Sequence, residues 1–403
     1  MIEFRFKREH ELWRKACREF VRDEIVPMIK PDEKGPGHGT FDWPIVKKMA
    51  KQGFFGVPFP REYGGAGLGE VGYCMVLEEL AAAEASLGTT IGAHTGIGTM
   101  PIWLFGTEEQ RQRYLPQLCS GERIAAFCLT EPTAGSDAAS IKTRAVKDKD
   151  EWVLNGTKIW VTNGKEAEVY TVMAVTDPAL GAQGGVTSFI VEKGAAGMNF
   201  GTIEDKMGIR NSSTAEIIFE NCRIPDENRL GPVGEGFITA LTALDGGRVG
   251  LGAGALGGIK QLRDACVRLA RHKVVDGQPL GEHQSIQWKL ADMAMEAFFA
   301  EFAIYDTATM VDAYHDHIAH REKVPRALRE EVSRRAAMIK AHTSEVLGRS
   351  VEWALEVFGS DGILDQWTIE KAFRDEPILE IFEGTNEIQR VIIARELLKE
   401  DPL

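Results

Sequence analysis

The chain has 403 residues, 44% hydrophobic and 27% charged, with 47 Lys and Arg against 60 Asp and Glu for a formal net charge of −13. That balance predicts two or three globular domains around a sizeable core and excludes disorder and collagen-like repeats. A negative field argues against nucleic-acid binding and a polybasic membrane anchor, while local cations and N–H groups can still hold an anionic small molecule.

Six cysteines (Cys17, Cys74, Cys119, Cys128, Cys222, Cys266) are scattered with no C-x-x-C pair. This speaks against a zinc ribbon or disulfide framework and fits a reducing compartment. Residues 1–5 run into charged residues instead of an apolar leader, and no uncharged stretch of about 18 residues that would suit a membrane helix follows. The expectation is a cytoplasmic protein with no membrane span and no metal site.

From residue 9 to about 122 the spacing is helical. Leu12, Ala16, Glu19, Phe20 and Val21 recur at threes and fours, and the run 75–81 continues the habit. Pro/Gly-rich loops at 31–39 and 58–69 interrupt these helices. From about 124 to 231 the period is two. Segments 152–154 and 159–161 flank Asn155-Gly156, which predicts a hairpin turn there. Segments 169–175, 187–191 and 215–219 read as further strands. Past Gly236 the helical period returns, with Ile286, Leu290, Met293, Ala297 and Ala300 on one stripe. Ile388, Val391, Ile392 and Arg395 open the last helix, and four helices fit between 237 and 398. The expected architecture is α+β and multidomain: an all-α part over 1–123, a central antiparallel β domain (sandwich or barrel) over 124–235, and a C-terminal four-helix bundle over 236–403.

Gly252-x-Gly254-x-x-Gly257 matches a dinucleotide fingerprint as a string, but the residues before it read as helix where the fingerprint needs a strand. Close helix packing explains these glycines better. His315, His317 and His320, with Asp312 and Asp316, sit in a polar stretch and read as a solvated helix end or loop, not a metal site. In 128–137, hydroxyls and small residues crowd into a turn that can face a flat heterocycle or a phosphate, or can be an ordinary turn. Ile159-Trp160-Val161-Thr162-Asn163-Gly164 puts an indole and a hydroxyl on one strand face. Near the C-terminus, Asn386 with Gln389 reads as an N-cap signature. Glu383 then lies on the turn before the last helix, beside Ile381 and Phe382. A carboxylate in apolar surroundings has a raised pKa and is a candidate base for weakly acidic C–H protons. A solvated Glu near a helix N-terminus is the plainer alternative.

These segments together resemble the acyl-CoA dehydrogenase family over roughly residues 8–398. The patterns Tyr63-Gly64-Gly65-Ala66-Gly67-Leu68-Gly69, 130–137, 158–164, Leu244-Asp245-Gly246-Gly247-Arg248, 356–362 and 382–390 stand in the family's order and spacing. The resemblance implies a flavoenzyme with FAD between the β domain and the bundle, completed by a neighbouring subunit, usually in a homotetramer. By resemblance, Phe127, Leu129, Thr130 and Ser136 line the flavin and the CoA entrance, and Trp160 with Thr162 backs the isoalloxazine ring. Thr385 and Glu387 reach FAD from the bundle, and Lys273, Gln284, Glu356, Gly359 and Ser360 belong to the FAD site's AMP end. Asp245, Arg248, Gly384 and Ser136 flank the acyl-CoA, and Glu383 is the base. The implied reaction moves the α proton to Glu383 and a β hydride to the flavin, giving a trans-2-enoyl-CoA, with electrons leaving to an electron-transfer flavoprotein. Some members carry the base just before the arginine matching Arg248, where this chain has Gly247.

The chain also departs from the family. Where the family has Glu-Arg-x-x-Phe-Gly, this chain has His272-Lys273-Val274-Val275-Asp276-Gly277, so a bidentate fork becomes a point charge and a ring becomes an anion. Glu356 stands where glutamine is usual. These changes predict weaker binding of FAD at its AMP end. By resemblance the helix 89–96 lines the end of the acyl pocket, and its small residues Gly92, Ala93 and Gly96 point to room for a longer or bulkier acyl chain. The rival readings are an acyl-CoA oxidase using dioxygen, for which the chain is short, and a non-catalytic acyl-CoA-binding homologue.

Overall fold

The computed structural model describes residues 6–29, 41–364 and 368–399. The loop expected over 31–39 and the charged start at 1–5 lie outside them.

The N-terminal part is helical: α1 (Arg8–Phe20), α2 (Trp43–Lys51), α3 (Gly69–Ala83), α4 (Ala85–Ile91), α5 (Met100–Phe105) and α6 (Glu108–Cys119), with a wide helical turn over Gly92–Thr99. The stripe expected on α1 is half right: Val21 is buried and Phe20 packs on the core, but Leu12 and Glu19 are exposed while His10 and Cys17 are buried. Trp13 decides this. Its indole donates to the Gly72 carbonyl on α3 at 3.1 Å and meets Phe54 edge-on, which turns the Trp13–Cys17 side inward.

The central strands are β1 (Ala125–Cys128), β2 (Arg144–Asp148), β3 (Glu151–Thr162), β4 (Val169–Val175), β5 (Val186–Glu192), β6 (Met198–Ile203), β7 (Thr214–Pro225) and β8 (Arg229–Leu230), with one irregular turn α7 (Ala182–Gly185) between β4 and β5. They form one sheet in the order β6-β7-β3-β2-β4-β5-β8, with β1 added on β4. Most neighbours are antiparallel, as expected, but β1 runs parallel to β4, and Arg144 pairs with Val175 in the same sense.

The hairpin turn expected at Asn155-Gly156 is not there. Both residues lie inside the twelve-residue β3, where the register against β7 slips between Leu154 and Gly156. Gly156, at φ 150°, marks this bulge, and a Cβ there would come within 2.5 Å of Thr143 Oγ1. The chain turns instead at Lys149-Asp150, with Lys149 at φ 56° and Asp148 paired to Glu151. Glycine's tolerance of positive φ serves a bulge as readily as a turn.

The C-terminal part holds α8 (Gly236–His272), a small hairpin of β9 (Val274–Val275) and β10 (Gln278–Pro279), α9 (Gln284–Ala319), α10 (Arg326–Phe358), α11 (Thr368–Asp375) and α12 (Asn386–Leu397). Three long helices and α12 make the expected bundle. On α9, Met293, Ala297 and Ala300 are buried on the expected stripe. The Gly252–Gly257 string lies inside α8, as its helical context required. A Cβ on Gly252 would reach Ile339 at 2.3 Å, and one on Gly257 the Glu78 carbonyl at 2.0 Å, so these glycines allow helices to approach. The histidine stretch is less solvated than expected. His315 is buried against Trp103, while His317 pairs with Glu322. No metal-ligating group is found among the described residues, and no described helix is long and apolar enough to cross a membrane.

Candidate active site

The sheet, the N-terminal helices and the bundle all contribute walls to one cleft of about 1860 Å³. Its sheet wall depends on a buried ion pair. Lys158, on β3, donates to Glu131 Oε1 at 2.7 Å and to the Leu129 carbonyl at 2.9 Å, with both charged side chains out of solvent. Glu131 also accepts from the backbone N–H groups of Lys142 and Thr143 at 2.6 and 2.9 Å. Burial opposes ionisation of Glu131, but Lys158 and the N–H donors outweigh it and hold its pKa below the usual value. The 128–137 loop is thereby fixed to β3, and Ile159 N–H adds a bond to the Thr130 carbonyl at 2.9 Å. Phe127, Leu129, Thr130 and Ser136 all line the cleft.

Trp160 stands at a second register shift in β3, between Lys158 and Val161, with φ 58°. The shift leaves its indole 57% exposed on the cleft wall, next to Thr162. From the helical part, Ile238, Leu241, Ile381 and Val391 line the same cleft and are also exposed and apolar. An indole and apolar side chains held open to one cleft suit a flat heterocyclic ligand.

Glu383 rises from the bundle side on a turn before α12. It sits at φ 58° and Gly384 at φ 92°. This left-handed pair is held from two sides. Arg248 Nε donates to the Glu383 carbonyl at 3.1 Å, and the buried Gln389 amide donates to the carbonyls of Glu383 and Gly384 at 3.2 and 2.9 Å. Arg248 is itself anchored by Asp245 at 2.8 Å, and Lys340 donates to the Glu380 carbonyl at 2.9 Å and to Asn386 Oδ1 at 2.7 Å. The helix N-cap is Thr385, whose hydroxyl accepts from Ile388 N–H. Asn386 was expected there, but its amide is buried and committed to Lys340 and Ser344.

Glu383 Oε2 is buried without a hydrogen-bond partner among the described residues. Burial lifts the carboxyl to a pKa of about 7, against the pull of Arg248 and Lys340. The carboxylate lies against Gly247, where a Cβ would come 2.8 Å from Oε2 and 3.0 Å from Oε1. A carboxylate of intermediate pKa, fixed in backbone but free at its oxygens, is arranged to exchange a proton with a bound ligand.

Asp245, Arg248, Gly384 and Thr385 line the same cleft, but Lys273, Gln284, Glu356, Gly359, Ser360 and Glu387 do not. Lys273 bonds Asp361 at 2.9 Å and the Phe358 carbonyl at 3.3 Å, while Lys289 pairs with Glu356 at 2.8 Å. Lys273, Glu356, Gly359 and Ser360 thus lie at the C-terminal ends of α8 and α10, with Gln284 at the start of α9, while Glu387 stands apart on α12. Glu356, which stands in place of the usual glutamine, therefore has a cation beside it in Lys289. Asp276 takes φ 51° in the β9–β10 turn beside Gly277 at φ 81°. Sequence reasoning missed Glu131, Lys340 and Gln389. Glu131 and Gln389 fall inside patterns read for other members, whereas nothing local marks Lys340.

Three family profiles match in succession: the acyl-CoA dehydrogenase N-terminal domain over residues 7–122, the middle domain over 126–222 and the C-terminal domain over 234–398. An acyl-CoA dehydrogenase of Bacillus subtilis (strain 168) is 38% identical over 390 residues, covering 97% of this chain and 98% of that one. Among solved structures, butyryl-CoA dehydrogenase from Megasphaera elsdenii superposes with a TM-score of 0.89 at 34% identity, over 98% of this chain and 100% of that one. A chain of the structure described as the electron transferring flavoprotein of Acidaminococcus fermentans gives 0.91 at 37%, covering 99% and 100%. The acyl-CoA dehydrogenase from Bacillus anthracis complexed with FAD gives 0.87 at 34%, covering 98% and 67%. Consecutive matches over nearly the whole length, with relatives this similar from end to end, make the chain a member of the acyl-CoA dehydrogenase family, an FAD-dependent oxidoreductase acting on acyl-CoA.

Proposed function

We propose that Glu383 is the base that removes the α proton of the acyl-CoA. The observation that carries this is its unpartnered, buried Oε2, at a pKa of about 7, seated in the room left by Gly247. A carboxylate in water is a poor match for a weakly acidic C–H; one lifted towards neutrality is a stronger base yet still ionised at working pH. Arg248 and Gln389 fix its backbone, so the oxygens can meet the α carbon without reordering the turn.

The residues present suit FAD. Trp160 and Thr162 would back its ring system, the 127–136 strand and loop would take its edge, and Thr385 would approach from the bundle. When bound, FAD supplies the acceptor for the β hydride. The protein's own part would be to hold the acyl chain between the Trp160 wall and Glu383, with the α proton turned towards the Glu383 oxygens. Asp245, Arg248 and Ser136 would hold the thioester's CoA side.

Lys273, Gln284, Glu356, Gly359 and Ser360, outside the cleft, would meet the FAD of a second copy. A homo-oligomer is supported by the exposed side chains Trp288, Met295, Phe298, Phe299 and Phe302 along α9, an apolar face of the kind a subunit interface covers. An electron-transfer flavoprotein as electron acceptor is in keeping with the Acidaminococcus neighbour. A cytoplasmic location is in keeping with six free, buried cysteines.

The test is an anaerobic titration of the purified holoenzyme with acyl-CoA, followed by the visible flavin spectrum. Bleaching is expected, and Glu383→Gln should slow it by several orders of magnitude while the flavin stays bound. A Gln variant that bleaches at the native rate would refute the assignment.

A further inference from the structure

Past Glu383 the cleft continues as an arm between α8 and the segment running from α3 through α4 into the wide turn. Its α8 wall is the stripe Gly247, Leu251, Gly254 and Gly258, and Ala81, Ala85 and Gly92 face it. Glycine weakens a helix interior relative to alanine, so each one in α8 calls for a reason. Gly250, Gly252 and Gly257 have it in packing, since a Cβ would strike Leu77 at 2.8 Å, Ile339 at 2.3 Å and the Glu78 carbonyl at 2.0 Å. Gly254 and Gly92 do not. A Cβ on Gly254 would meet only Ala81, at 3.5 Å, and one on Gly92 only the Tyr73 hydroxyl, at 3.9 Å, and neither has a positive φ. What their missing side chains leave open is the arm itself. Gly96, grouped with Gly92 in the sequence, serves differently: a Cβ there would strike Tyr73 Oη at 2.6 Å.

The far end of the arm is polar but matched. Gln261 donates to Thr368 Oγ1 at 2.9 Å, and Lys371 pairs with Glu84 at 2.9 Å and also with Asp375. Among the described residues there, no cation calls for a charged chain end. From Gly247, against the base, to Gly258, α8 advances about 16 Å, the length of an extended alkyl chain of about a dozen carbons.

We infer that the enzyme's thioester carries a long, straight, unfunctionalised acyl chain, and that Gly92 and Gly254 determine its length by leaving the arm open. The inference rests on Glu383 as the base, because that fixes which end of the arm holds the thioester. It gives the chain a different preference from the butyryl-CoA dehydrogenase it superposes on.

The experiment measures kcat/KM of the holoenzyme for butyryl-, octanoyl-, dodecanoyl- and hexadecanoyl-CoA. The value should climb from butyryl to dodecanoyl, with KM falling up to about fourfold per added methylene. A maximum at butyryl with decline beyond it overturns the inference. Gly254→Leu and Gly92→Leu, each verified as flavin-loaded, should lower the dodecanoyl-to-butyryl ratio at least about tenfold. An unchanged ratio in both overturns it equally. If either leucine variant does not fold, Gly254→Ala and Gly92→Ala are read the same way, with a smaller drop. Failure of every thioester to bleach the flavin sinks the Glu383 assignment itself, and the length inference with it.

Discussion

Glu383 gains its chemistry from what is missing around it. Gly247 supplies no side chain, and the carboxylate occupies the room this leaves. Gly247→Ala should push the carboxylate aside, so the prediction is a kcat lowered about tenfold or more with FAD content unchanged, read by single-turnover flavin reduction. The raised pKa also sets a pH dependence. The base works ionised, so kcat/KM should rise with pH and level off above a pKa near 7. Stability runs the other way. A carboxyl whose folded pKa lies above its unfolded value of 4.5 stabilises the fold only while protonated, and that contribution is lost as pH rises through 7. Glu383→Gln, which cannot ionise, should therefore be more stable than the native enzyme at pH 8 by up to about 3 kcal/mol and little different at pH 4.5, as chemical denaturation would show.

At the scale of elements, each wall of the site is a backbone irregularity pinned by a buried charge or amide. The 128–137 loop is held by Glu131 and Lys158, and the left-handed turn before α12 by Arg248 and Gln389. Removing one partner of a buried pair leaves the other uncompensated, which typically costs about 3–5 kcal/mol. Lys158→Met should lower the denaturation midpoint and loosen FAD together, measured as flavin released on gel filtration; loss of stability with full flavin retention would separate the loop from the cofactor. The motifs 130–137, 158–164 and 382–390 were legible as strings, and so was the candidacy of Glu383. The Glu131–Lys158 pairing was not, because it joins residues 27 apart in sequence across a sheet. The same distance effect misplaced the hairpin at Asn155-Gly156. Local turn chemistry was read correctly as glycine permissiveness, but whether the chain bulges or reverses there is decided by Thr143 and β7.

At the scale of the molecule, one buried carboxylate ties the helical parts together. Glu78 on α3 accepts from Arg14 of α1 at 2.9 Å, Lys260 of α8 at 2.7 Å and Tyr305 of α9 at 2.5 Å. The N-terminal helices and the bundle thus share a core, and the acyl arm runs along their seam. The exposed apolar face of α9 belongs to this scale too. Charging it, as in Phe298→Glu with Phe302→Glu, should reduce the assembly to smaller species in sedimentation velocity and lower FAD retention, as expected if a second copy completes the cofactor site. An unchanged sedimentation coefficient would place the subunit contact elsewhere.

By itself the sequence determined the order of helical, β and helical parts, the family, the candidate base and the reason to reject the Gly252–Gly257 string, because periodicity and motif chemistry are local properties of the chain. Tertiary structure alone decided what each glycine is for. Gly247, Gly252, Gly254 and Gly257 look alike in sequence, yet one makes room for the base, two let helices meet and one opens the arm. The absence of a side chain acquires meaning only from the atoms that approach it, and those atoms come from residues far away along the chain.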